Sequence, residues 1–217
     1  MYNLGIPTTR SLAIVSSGEP VYREAKMPGA IITRIAKSHI RIGTFQWFAA
    51  ISDIKNLKIL LDYSIKRHYP DVISTAEFLR AVSINQARLV AEWMRVGFIH
   101  GVMNTDNCLI SGETIDYGPC AFMDEYNPDK VFSSIDKFGR YSFSNQPPIT
   151  KWNLARFAEC LIPLIHKNED TAVKIATETI DNFQNIYETK WLNMMRDKLG
   201  LFGENQNDLK LQAVEGS

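Results

Sequence analysis

Cysteine is scarce in this chain and badly spaced for any cross-link or metal cage. The 217 residues hold three: Cys108, Cys120 and Cys160. There is no CxxC pair, and no histidine stands at zinc-ligand spacing from another ligand. This argues against a disulfide framework and a structural zinc, and it fits a reducing compartment. Long apolar runs are missing too. None approaches the roughly 18 residues that a membrane helix needs. The opening "MYNLGIPTTR" lacks the charged-then-apolar order of a signal peptide. Net charge is also absent, with 24 Lys+Arg against 24 Asp+Glu. That removes bulk attraction to nucleic acid or to an anionic membrane, so neither is an expected partner. No internal repeat and no low-complexity tract is present.

What the chain does have is core-forming material: 45% hydrophobic and 11% aromatic residues, enough for a packed domain. "RSLAIVSSGEPVYRE" (10–24) alternates around Ser17–Pro20 and predicts a hairpin. "GAIITRIA" (29–36) is rich in β-branched residues and predicts a strand. A helix is expected from "FQWFAAI" (45–51), with Phe45, Trp47 and Phe48 in the core. In 54–69, Ile54, Leu57, Leu61 and Ile65 share one helical face. Residues 74–97 predict a long, buried helix with a Ser74/Glu77 capping box and Gly97 at its end, Trp93 and Met94 being core. Residues 108–110 and 114–117 are expected to pair as a small hairpin across Ser111-Gly112-Glu113. Residues 119–150 look irregular, and a loop that long is usually functional. Two more helices follow, 151–166 and 171–199, with His68 and His166 as helix-end residues. Strands first and helices later reads as α+β.

The polar stretch "GVMNTDNCLISGETIDYGPC" (101–120) carries the candidate chemistry. A protein-kinase site reads H-R-D-L-x-x-x-N, then D-F-G. With His100 on the first histidine, Asn107 falls on the metal-binding asparagine and "DYG" (116–118) on D-F-G. Magnesium takes oxygen ligands, one or two from protein and the rest from phosphates and water. Asn107 and Asp116 offer one amide oxygen and one carboxylate. The kinase base, two residues after the histidine, is replaced by Val102, which cannot accept a proton. The nearest acid is Asp106. From these residues alone three readings stand: a polar turn between strands, a dead site, or a different transfer reaction with Asp106 as base.

Longer blocks are more specific. "LGIPTTR", "TRIAKSHIRIGTFQWF", "VAEWMRVGFIHGVMNTDN", "ISGETIDYGPCAFMDEY", "VFSSIDKFGRYSFSNQP" and "WNLARFAECLIPL" resemble, in order, the selenoprotein O family. The resemblance covers roughly residues 4–165. It implies a kinase-like fold, with a partial small lobe at 1–52, a helical large lobe at 53–200 and a polar tail at 201–217. It also implies an adenylyltransferase that binds ATP flipped relative to kinases and moves AMP onto Ser, Thr or Tyr hydroxyls of protein substrates. Carried onto this chain, the base is Asp106, and the Mg2+ ligands are Asn107 and Asp116, with Mn2+ as a possible substitute. The arginines on the flipped phosphates are Arg34 and Arg41. Arginine forks suit phosphate oxygens, although each would otherwise read as a solvated strand-end charge. His39, between them, reads as a packing or orienting residue.

Family members are about twice this length, and their glycine-rich loop, phosphate-pairing lysine and orienting glutamate lie upstream of "LGIPTTR". A middle piece with impaired activity is therefore the expectation. The alternatives are a kinase-like phosphotransferase and an inactive pseudokinase that only binds a partner. The resemblance places the protein in the cytoplasm if its source is bacterial and in mitochondria if it is eukaryotic.

Overall fold

A computed structural model describes residues 1–202. Two long strands come first, β1 (Arg10–Tyr22) and β2 (Lys26–Ile35), followed by helices α1 (Ile42–Ala50), α2 (Ile54–His68) and α3 (Thr75–Val96). A short pair, β3 (Phe98–Ile99) and β4 (Ala121–Phe122), brackets the polar loop, and α4 (Gln146–Ile165), α5 (Glu169–Asp181) and α6 (Phe183–Leu199) complete the order. The architecture mixes helix with two small antiparallel sheets. Nearly all of the expected polar tail lies outside the described residues.

Helix α3 is the spine. The Ser74 hydroxyl accepts from the Glu77 N–H at 3.2 Å, so one orphan donor of the first turn is satisfied. The reciprocal bond of a capping box goes one residue further back: the Glu77 carboxylate accepts from the Ile73 N–H at 3.0 Å. Gly97 ends the helix at φ 68°, the left-handed region where glycine carries no Cβ penalty. Phe78, Leu79, Val82, Leu89, Val90 and Trp93 are buried along it, against α4 and α6. Phe45 of α1, Phe78 of α3 and Phe157 of α4 meet edge-on or tilted, with ring centroids 4.9–6.3 Å apart. Each is fully buried, and burying such a ring contributes about 1.5–3 kcal/mol.

Four sequence expectations about these strands and helices are corrected. Residues 10–24 do not turn back at Ser17–Pro20. β1 runs straight through, paired with β2, and the reversal lies at Arg23–Ala25. The register shifts between the Ser16 and Pro20 pairs: residues 17–19, with Gly18 at φ 74°, are absorbed as a bulge, and pairing resumes at Pro20. Trp47 is 66% exposed, because it stands two residues from buried Phe45 and so faces the other side of α1. α4 starts at Gln146, ahead of the expected 151, with Pro147 and Pro148 in its first turn, where a missing N–H does no harm. Finally, 171–199 is two helices divided at Asn182. Ala172, Ala176 and Ile180 of α5 pack toward α4, whereas Phe183, Tyr187, Trp191 and Met194 of α6 pack toward α3. One straight helix would not serve both directions.

Of the helix-end histidines, His166 is the C-cap residue of α4. His68 is the last residue of α2, and its Nε2 lies 2.8 Å from the Ser38 hydroxyl. His39 is exposed. Among the described residues no helix is long and apolar enough to cross a membrane.

Candidate functional site

The polar loop 100–120 is closed at its neck. Phe98 pairs with Phe122 and Ile99 with Ala121, and the Met123 N–H donates to the Gly97 carbonyl at 2.9 Å. Within the loop, 108–110 and 114–117 do not form the expected hairpin with each other. Each pairs with a different part of the N-terminal chain. Leu109 bridges Arg41 antiparallel and Thr114 bridges Thr8 in parallel. The Ile42 N–H donates to the Cys108 carbonyl at 3.0 Å, and the Thr114 N–H to the Pro7 carbonyl at 2.9 Å. The backbone groups that a hairpin would pair are taken by these longer-range partners.

Three buried amides, which the apolar periodicity of the sequence passed over, hold the rest of the loop. Gln86 of α3 donates to the Leu109 carbonyl at 2.6 Å. Gln146 of α4 accepts from the His100 N–H at 3.0 Å and donates to the Phe98 carbonyl at 2.9 Å. Asn153, two turns further on, donates to the Met103 carbonyl at 2.9 Å. All three are buried, so each satisfies a loop group that water cannot reach. The available signal was an amide inside an otherwise apolar helix face.

His100 joins the two halves of the loop. Its Nε2 lies 2.7 Å from the Ile115 carbonyl, and its Nδ1 lies 3.4 Å from the Val102 N–H. A carbonyl only accepts, so Nε2 carries the proton and Nδ1 receives. Burial holds the imidazole below its ordinary pKa, while the Ile115 carbonyl and the Asp116 charge push the other way. The ring is a neutral tie between the Val102 turn and the Asp116 segment.

Asp106 and Asn107 lie on a 3₁₀ turn, Thr105–Asn107, packed against the first turn of α1. Asp106 is exposed as a residue. The Asn107 side-chain nitrogen donates to the Val102 carbonyl at 2.9 Å, which leaves its Oδ1 for another partner. Asp116 is exposed and sits at φ 63°, a left-handed conformation that aspartate and asparagine adopt more readily than other residues with a Cβ. Tyr117 of the "DYG" triplet is tied to Thr8 through the two hydroxyls, and its ring packs against Phe98 with centroids 6.1 Å apart.

Of the two arginines, Arg41 is at the site. It is the N-cap residue of α1, beside Leu109 and half-buried. Its Nε is buried with no hydrogen-bond partner among the described residues. Arg34 is exposed on β2 opposite Ser11 and shares no hydrogen bond or ion pair with the others. The structure thus sets the Arg41 backbone beside the segment that follows Asp106 and Asn107, links the Asp116 segment to the Val102 turn through His100, and leaves Arg34 on the hairpin. The apolar groove between α4 and α5, lined by Ala158, Val173, Ala176 and Ile180, includes none of them.

This donor set suits a cation carried largely by its ligand. No cluster of three or more His, Cys, Asp or Glu able to hold a metal occurs among the described residues. An amide oxygen and a carboxylate are a poor cage for a bare ion, but they are the usual protein share for Mg2+ that keeps phosphate and water ligands. The orphaned, buried Arg41 Nε is what an anionic partner would satisfy.

Comparison with known proteins agrees with this chemistry. A family model described as "Protein adenylyltransferase SelO" matches residues 1–215. A "Protein nucleotidyltransferase YdiU" from Pelagibacter ubique is 61% identical over 215 residues, covering 97% of this chain and 44% of its own length. The protein of the same name from Bacillus mycoides is 59% identical over 215 residues, again 97% and 44%. That from Nitrosococcus oceani is 57% identical over 214 residues, covering 97% and 43%. The chain spans less than half the length of these relatives.

Proposed function

This chain belongs to the SelO family, and we propose on that premise that it carries the metal and catalytic part of a kinase-like protein adenylyltransferase. Residues 1–52 contribute part of a small lobe, and 53–200 form the helical large lobe. The long buried α3, the bracketed loop after it and the helices beyond support a kinase-like arrangement. One observation carries the choice of reaction. The carboxylate stands at Asp106 on the 3₁₀ turn, while the position of the kinase base is Val102.

Asp106 takes the proton of an acceptor Ser, Thr or Tyr hydroxyl on a protein substrate. The freed oxygen bonds to the α-phosphorus of ATP, the bond from that phosphorus to the bridging oxygen breaks, and pyrophosphate leaves. Asn107 Oδ1 and Asp116 would hold Mg2+, or Mn2+ in its place, which neutralises phosphate charge when bound. Arg41, and Arg34 from the hairpin, hold the terminal phosphates bidentately. Little covalent chemistry is asked of the protein beyond the proton, so placement dominates.

The test supplies ATP labelled at the α- or the γ-phosphate, with magnesium, to a version as long as the relatives. Label from the α-phosphate on the acceptor is expected. Label from the γ-phosphate alone would make the protein a phosphotransferase, and binding with neither label transferred would make it a pseudokinase module. The arginines have their own expected result. Arg34→Ala and Arg41→Ala each weaken ATP binding far more than AMP binding, because AMP lacks the phosphates they hold. A hydrogen bond to a charged group contributes roughly 1.5–3 kcal/mol, or about tenfold to more than a hundredfold in Kd. Calorimetry with both nucleotides checks this, and equal losses would assign the arginines to folding.

A further inference from the structure

Gly43 is the second residue of α1. Its backbone is helical and not left-handed, so its conformation does not call for glycine. Alanine is the better residue inside a helix. The reason for glycine lies across the contact. The nearest atoms to a Cβ built on Gly43 all belong to Asp106: it would overlap the carboxylate oxygen Oδ1, with Cγ at 3.0 Å and Cα at 3.6 Å. The Asp106 Cα distance is ordinary contact, so the backbones are already at their proper separation. The carboxylate oxygen lies in the space a methyl group would take.

We propose that Gly43 is a positioning residue for Asp106: its missing side chain leaves the room in which the carboxylate lies against the first turn of α1. The inference rests on Asp106 being the base as far as rate is concerned, but the contact itself does not depend on that reading. A methyl group at 43 meets the far end of a short, rotatable side chain, so the carboxylate swings away and the helix stays. Rate and stability should therefore separate. Displacing a catalytic group by about 1 Å can cost on the order of 10²-fold, while the helix gains from alanine.

The experiment is a double-mutant cycle of Gly43→Ala with Asp106→Ala, read in two ways. In a version as long as the relatives, Gly43→Ala is expected to lower AMP transfer by on the order of 10²-fold at unchanged Kd for Mg-ATP. It should have no further effect on the residue-106 variant. In the 217-residue chain, Gly43→Ala should raise Tm more when residue 106 is alanine than when it is aspartate, the full gain being up to about 2–4 °C. Transfer at the parental rate in Gly43→Ala, or equal Tm shifts in the two backgrounds, would overturn the proposal. Parental transfer in Asp106→Ala alone would instead end the assignment of the base, and the Tm cycle would still decide whether Gly43 places that carboxylate.

Discussion

Asp106→Ala is expected to lower AMP transfer by roughly 10²–10⁴-fold, the usual contribution of a general base, and to leave Mg-ATP affinity at its parental value. The separation follows from where the residue stands. Asp106 is an exposed residue of the 3₁₀ turn, its carboxylate oxygen against the first turn of α1. In the proposed reaction it meets the acceptor hydroxyl and not the nucleotide phosphates. In that proposal the phosphates are met by the arginines and by the cation that Asn107 and Asp116 would hold. Single-turnover transfer of α-labelled AMP, beside calorimetric binding of Mg-ATP, measures the two quantities separately. A variant that transfers at the parental rate would show that the base is elsewhere or that none is needed. A variant that loses binding in proportion to rate would make Asp106 a nucleotide or metal ligand.

Asp116→Asn is expected to abolish the metal-dependent part of nucleotide binding. Asp116 supplies the one full negative charge that the protein would place directly on the cation, since Asn107 contributes a neutral amide oxygen. Without it, the protein would offer the dication only the neutral Asn107 amide oxygen. Asparagine is the informative replacement. Residue 116 sits at φ 63°, and asparagine tolerates that region about as well as aspartate, whereas alanine would add backbone strain. Nucleotide titrations with and without magnesium give the metal-dependent difference. That difference should vanish in Asp116→Asn, and Asp116→Ala should match it at lower Tm. A magnesium effect that survives in both would remove Asp116 from the metal site.

The sequence by itself determined the helices with strong apolar periodicity. Ser74, the buried stripe of α3 and Gly97 specify that helix locally, and Leu57 and Leu61 specify the inner face of α2. The order His100–Asn107–Asp116, with Val102 where a base is expected, was legible in the same way, because it is a matter of spacing along one segment. Tertiary structure decided what crosses between segments. Residues 108–117 carry turn-forming residues that predict a hairpin, yet their backbone groups bond to Pro7–Thr9 and Ile40–Ile42, which no local pattern announces. Ser17–Pro20 is a turn by composition, yet residues 17–19 form a bulge, because a long partner strand was available at Lys26–Ile35. Gln86, Gln146 and Asn153 are polar letters inside apolar helices, and only the fold shows that each answers a loop carbonyl or N–H. Gly43 is legible only in three dimensions. The physical reason is common to all of these: periodicity reports which face of an element avoids water, whereas a hydrogen-bond partner or a space left for a carboxylate is set by whichever segment the fold brings against it.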